Sequence, residues 1–298
     1  MLSEVSQHHL HKRILNRYND SIELLCLLFL GESKMIKHIF SDMDGTLLDS
    51  QGNVSDTNAN AVKDSGIPFT LVSARAPMEM EAAITKLGLT EPQIGFNGGL
   101  IYQKTDNGFK VLNDNPLNMS SFWQLMKVIQ NNFSAVSCSC YGLNEWYAEK
   151  IDSGIEYESK LTGQKATVTD FDKLSDTKLY KIMMITFDLE LMNKLNTALL
   201  RLHIPDVSIK RSGDNYLEIT SNLAQKSKGI KYIQKLEKLA KEDMVAFGDG
   251  HNDLPMLTNV GWPIVMDNAP DEIKQYGKYI TKSNDDNGVA YGINHLLS

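Results

Sequence analysis

Four carboxylates, in two pairs, are the residues of this chain best placed to do chemistry. Asp42 and Asp44 stand one residue apart in Asp42-Met43-Asp44-Gly45-Thr46, and Asp249 and Asp253 belong to Gly248-Asp249-Gly250-His251-Asn252-Asp253. Each group follows a short apolar run, residues 36–40 and 244–247, so each is expected where a buried strand opens into a loop. The chemistry that needs such groups is phosphoryl transfer. A phosphate monoester dianion repels an anionic nucleophile, so an attacking carboxylate requires a divalent cation beside it. Asp42 would attack phosphorus and form an aspartyl-phosphate. Asp44 would protonate the leaving alcohol and then deprotonate the hydrolytic water, given a pKa tuned upward. Four acidic groups on one rim repel one another unless a cation sits among them, and Mg²⁺ is the natural candidate because it takes oxygen ligands and keeps several waters. Taken alone, the first stretch also reads as an Asx-rich turn after a strand, since Asp-Gly is a common turn dipeptide.

The elements that must position these groups alternate. Residues 58–65 suit a helix, 67–72 a strand, 77–87 a helix and 93–97 a strand. After the second acidic motif, residues 262–266 and 279–280 read as strands, and 270–276 and 287–297 as helices. Strands separated by helical stretches imply a parallel sheet with helices on both faces. Between Asn97 and residue 216 the texture changes: hairpins at 100–112 and 207–219, helices at 119–129 and 189–202, and a strand at 180–187. That mixture predicts an α+β insertion with an antiparallel sheet. The expected organisation is therefore α/β, a Rossmann-like parallel-sheet core made of residues 35–99 and 216–298, with an inserted α+β cap domain at 100–215. Trp146, Tyr147 and Arg211 are cap residues able to meet a substrate, although each also reads as structural.

On these motifs the chain resembles the haloacid dehalogenase superfamily of phosphatases, and more narrowly its Cof-type branch, which carries a large cap between its second and third motifs. Residues 42–46 match the first motif at every specified position. The second is a hydroxyl residue ending a strand, here Ser73-Ala74-Arg75, where members often have Thr-Gly-Arg; the third is Lys228-Gly229; the fourth is Gly248 to Asp253 without a departure. The resemblance covers about residues 35–298 and implies a Mg²⁺-dependent phosphatase acting on small phosphorylated metabolites, sugar phosphates foremost, with pyridoxal phosphate and nucleotide-like esters open beside them. It implies Asp42 as nucleophile and Asp44 as acid/base, with Ser73 and Lys228 holding the phosphoryl oxygens. Asp249 is then a direct metal ligand alongside Asp42 and the Asp44 carbonyl, Asp253 binds through water or fixes its neighbours, and Asn252 donates near the phosphate.

Lys226 and Lys228 compete for the lysine role. Lys228 precedes Gly229 and an amphipathic stretch, at a helix N-terminus that favours anions, and is preferred on that ground; Lys226 then reads as a loop charge. Ser73 by itself also reads as a helix cap. His251 occupies a variable position of the motif and reads as an exposed loop residue.

At 298 residues the chain can hold roughly two domains. Its net charge of -7 and lack of any Lys/Arg-rich run disfavour a nucleic-acid partner. Three cysteines, Cys26, Cys138 and Cys140, make no even disulfide framework, which points to a reducing cytoplasm. Residues 1–34 are expected to stand outside the core. Their apolar run at 22–30 is too short and too acid-interrupted for a membrane span of about 20 residues, and it lacks the small-residue cleavage site of a signal peptide. Translation is expected to start at Met35, and the His8-His9-Leu10-His11 cluster has no carboxylate or cysteine at ligand spacing. A phosphomutase and a non-catalytic phosphosugar-binding regulator share the same motifs. Product analysis separates the first, and turnover the second.

Overall fold

The computed structural model describes residues 36–106 and 108–297. The expectations for residues 1–34, the histidine cluster, Cys26, a start at Met35 and the Asn107 turn all lie outside the described residues. The core is a five-stranded, all-parallel sheet in the order Tyr279–Ile280, Trp262–Val265, Met244–Gly248, His38–Ser41, Phe69–Leu71. Every residue of His38–Ser41 and Met244–Gly248 is buried, as expected for strands covered on both faces. The polar member His38 is satisfied internally, its ring nitrogens lying 2.8 Å from Glu237 Oε2 and 2.9 Å from Thr70 Oγ1.

The chain runs outward from His38–Ser41 to Phe69–Leu71, and later returns to the opposite side at Met244–Gly248. These two central strands flank the point where the winding reverses, and the crevice beyond their carboxyl ends is where open α/β sheets bind ligands. The intervening helices are delimited by local chemistry. Ser55 caps Asp56–Ser65 by accepting from Asn58 N, and Gly66, at φ 61°, ends it; Pro77 opens Pro77–Leu87.

The cap is a six-stranded sheet in the order Val207–Ser212, Tyr216–Ser221, Lys181–Ile185, Ser137–Tyr141, Trp146–Ala148, Thr167–Val168. Strand alternation divides its residues between two faces. Ile182, Met184, Leu217 and Ile219 pack with Leu125, Ile129, Leu195 and Leu199 of the helices Met119–Asn132 and Leu189–Leu200. Lys181, Met183, Tyr216 and Glu218 take the other face.

Both expected cap boundaries need correction. The hairpin Leu100–Thr105 and Gly108–Asp114 pairs with Gln93–Gly95, and Ile101 joins the core cluster containing Phe40 and Ile94. Tyr216–Ser221, expected at the start of the returning core, instead pairs with Lys181–Ile185 in the cap. A hairpin's alternation fixes which residues share a face but not which sheet receives it. The helix Ser153–Thr162, capped by Asp152 and ended by Gly163, carries no strong apolar stripe and has no counterpart among the expected elements.

Candidate active site

Asp42 follows the last residue of its strand, and its backbone N–H donates to Phe247 O on the adjacent strand at 3.0 Å. That pairing brings the loop after Gly248 alongside it. Gly45 permits the approach: it has φ 77°, and a Cβ there would lie 2.4 Å from Asp249 Oδ2. Thr46 Oγ1 donates to Asp249 Oδ1 at 2.8 Å, tying the two acidic loops together. Asp253 is fully buried, and its Oδ2 accepts from Asp249 N and Gly250 N, both at 3.0 Å.

The lysine at this rim is Lys226. Its Nζ donates to Asp42 Oδ1 at 2.5 Å and to Asp253 Oδ1 at 2.6 Å, with the lysine 2% exposed. The preference for Lys228 is corrected, because that residue is exposed. Helical phase is the physical reason. The helix Lys226–Glu237 begins at Lys226, and Lys226, Gly229, Ile230 and Ile233 form its buried face at spacings of three, four and seven. Gly229 packs so closely on Ile94 that a Cβ would meet its side chain at 2.8 Å. The residue just before it therefore points elsewhere.

Charge is unbalanced here. Three carboxylates, Asp42, Asp249 and Asp253, can each offer an oxygen within 4.8 Å of the others, and among the described residues the ammonium bonded to them is that of Lys226, on Asp42 and Asp253. Burial, followed by the charge of Asp253, pushes the Asp42 carboxyl well above its ordinary range in spite of Lys226. Burial also raises Asp249 to about 6, opposed by its Thr46 hydrogen bond and reinforced by Asp253. Lys226 is raised as well: burial works against its charge, but Asp42 and Asp253 together outweigh that. An oxygen-donor set two positive charges short of neutrality fits a hard divalent cation, so the triad can hold a metal ion.

Asp44 is outside that triad. Its half-exposed carboxylate is gripped bidentately by Arg75, Nε to Oδ2 at 2.9 Å and Nη2 to Oδ1 at 2.6 Å. Ser73 is buried beyond Phe69–Leu71, and its Oγ accepts from Arg75 N at 3.1 Å. Asn252 is exposed and lines the cavity above the carboxylates; exposed His251 faces Glu272. Arg75 and Thr46 belong to the quoted motifs but carried no expected role. Arg75's place, two residues after Ser73 where the strand ends, was the available signal.

A cavity of about 850 Å³ joins the core rim to the cap, with Asp42, Asp44 and Asp249 on one side and Glu158, Lys181 and Tyr216 on the other. Of the cap residues singled out in the sequence, Trp146 is buried against Tyr141, Tyr147 packs on the cap core, and Arg211 bonds Asn193 Oδ1 at 2.6 Å. None of the three lines the cavity.

Residues 39–293 match the sequence profile of the haloacid dehalogenase-like hydrolases. The chain belongs to that family. Among curated proteins it is 28% identical over 290 residues to the 5-amino-6-(5-phospho-D-ribitylamino)uracil phosphatase YwtE of Bacillus subtilis, covering 88% of this chain and 99% of that one. Among solved structures it is similar to a haloacid dehalogenase-like hydrolase from Bacteroides thetaiotaomicron, with TM-score 0.79, 25% identity, and 87% and 99% of the two chains covered. A haloacid dehalogenase subclass IIB sugar phosphatase aligns with TM-score 0.73 at 18% identity over 87% and 98%, a likeness of fold. Among the described residues of this family member, no helix is long and apolar enough to cross a membrane.

Proposed function

We propose that this hydrolase is a Mg²⁺-dependent phosphatase of the Cof-type branch that releases phosphate from small phosphorylated metabolites through an aspartyl-phosphate on Asp42. The observation that carries this reading is the convergence of Asp42, Lys226, Asp249 and Asp253 at the switch point of a parallel sheet. Asp42, Asp249 and Asp253, with the Asp44 carbonyl, would hold the magnesium, which supplies positive charge that lets a carboxylate approach a phosphate dianion. Asp42 forms the new O–P bond as the ester O–P bond breaks, and Asp44 gives the departing oxygen its proton. Asp44 then takes a proton from water as that water attacks phosphorus, restoring Asp42 and freeing phosphate. For either proton transfer Asp44 has to leave Arg75. Lys226 fixes the Asp42 oxygen and neutralises charge beside it, while Ser73 and Asn252 are proposed to hydrogen-bond the phosphoryl oxygens.

The preferred substrate class is a sugar phosphate or a similar polyol ester. The name of the Bacillus subtilis relative, which specifies a phosphoribityl compound, supports that class. A cytoplasmic setting belongs to the same proposal, since the two described cysteines, Cys138 and Cys140, are unpaired. Phosphate release from a panel of metabolite esters, with and without Mg²⁺, tests the reading. Isomerised ester in place of free phosphate would contradict it.

A further inference from the structure

Lys181 is 5% exposed, yet its ammonium makes no hydrogen bond or ion pair with any described residue. It lies on the central strand of the cap, in register with Tyr141 and Thr220, and its Nζ sits 4.5 Å from the centre of the Tyr141 ring. The side chain lines the cavity opposite the catalytic rim. The ammonium therefore faces the cavity with its donors uncommitted, and a ligand that covers it without offering an acceptor leaves a buried donor unmet, which is costly. Two carboxylates accompany it. Glu158 is 6% exposed and accepts from Tyr216 Oη at 2.8 Å through Oε2, leaving Oε1 without a partner among the described residues. The carboxylate of Glu218, half-buried on the neighbouring strand, makes no hydrogen bond or ion pair among those residues. Burial raises the Glu158 carboxyl, with Glu79 and Glu218 adding to it against Tyr216 and Lys181.

We infer that Lys181, flanked by Glu158 and Glu218, is the leaving-group anchor of this enzyme: its ammonium donates to one hydroxyl oxygen of a sugar or polyol, and a neighbouring hydroxyl donates to one of the two carboxylates. This rests on the phosphatase reading above and names what that site selects. A hydroxyl both donates and accepts, so a hydroxylated carbon chain satisfies both signs of charge at once. An anionic leaving group meets two carboxylates against one ammonium, a net repulsion. An alkyl or aryl group leaves the Lys181 donor buried and unmet.

The test compares phosphate release, with Mg²⁺, from sorbitol 6-phosphate, from hexyl phosphate of the same chain length, and from 6-phosphogluconate. The wild-type enzyme is expected to prefer sorbitol 6-phosphate over both others in kcat/KM. Lys181→Met keeps the apolar stem and removes the donor. It should cut the preference for sorbitol 6-phosphate over hexyl phosphate about 10- to 100-fold, the worth of one hydrogen bond to a charged group. Glu218→Gln, at a half-buried position, should raise the relative kcat/KM for 6-phosphogluconate, and it carries the test if Lys181→Met does not fold. A preference that survives Lys181→Met in a folded protein, or a 6-phosphogluconate rate unmoved by Glu218→Gln, overturns the inference. Wild-type enzyme that hydrolyses hexyl phosphate as well as sorbitol 6-phosphate overturns it and leaves the phosphatase reading standing. Wild-type enzyme that hydrolyses no ester overturns both.

Discussion

Lys226 Nζ and Asp42 Oδ1 meet at 2.5 Å across 184 residues of sequence, both buried, with Asp253 on the far side of the same ammonium. Removing the lysine leaves two buried carboxylates facing one another without a counter-charge. Lys226→Met should therefore cost about 3 kcal/mol of stability in metal-free protein and reduce phosphate release at least about 100-fold, the scale of losing a group that stabilises transition-state charge. Lys228→Ala should change stability by no more than about 0.5 kcal/mol and phosphate release by less than about threefold, as expected for an exposed position. Thermal melts and steady-state assays on the two variants check this. Equal losses in both would contradict it.

Gly45 holds the two acidic loops together by having no side chain. Gly45→Ala puts a methyl against Asp249 at a φ of 77°, which should destabilise the fold by about 1–3 kcal/mol and weaken magnesium binding, because Asp249 must move. Titration calorimetry with Mg²⁺ on the variant and wild type measures it.

Metal-free protein should lose stability as pH rises through the window set by Asp249. Burial pushes its folded carboxyl up to about 6 from an ordinary 3.8, so between those values the folded state holds the proton more tightly than the unfolded chain. Stability consequently falls as pH rises from about 4 to about 6 and stays at the lower level above it. Asp42 shifts in the same direction. Magnesium must displace these protons, so the stabilisation it confers should be large at pH 8 and shrink below pH 6, read from melting temperatures with Mg²⁺ and with chelator. A magnesium effect independent of pH would count against the carboxylate triad as its site.

Asp44→Asn separates the two chemical half-steps. With p-nitrophenyl phosphate, whose leaving group needs little protonation, the variant should give a burst of about one equivalent of p-nitrophenol and then turn over slowly, since no base activates water. Rapid-quench measurement shows the burst. A slow first turnover without a burst would remove Asp44 from the second step.

The core was readable because burial on both faces leaves near-continuous apolar runs, such as residues 244–247, and because proline and glycine mark the limits of Pro77–Leu87. The adjacency of the two acidic loops followed from their place after such runs. The lysine is decided by helical phase and not by proximity to a glycine: Lys226, Ile230 and Ile233 stand four and seven apart in the sequence. Hairpin ownership was hidden for a different reason: residues 100–114 alternate in a way that suits either sheet, and the deciding contact, Ile101 with the Phe40 cluster, is long-range. Arg75 and Lys181 were invisible as site residues because their partners, Asp44 and the cavity, are assembled only by tertiary structure.

The identity of the nucleophile is the point on which the chemistry turns, and trapping it is the direct measurement. Borohydride added during turnover reduces an aspartyl-phosphate to homoserine, which peptide mass spectrometry can assign to one position. The expected result is homoserine at residue 42 only, dependent on substrate and Mg²⁺, and absent from Asp42→Asn protein, which should also release no phosphate. Reduction at another residue, or an Asp42→Asn variant that turns over at the wild-type rate, would contradict it.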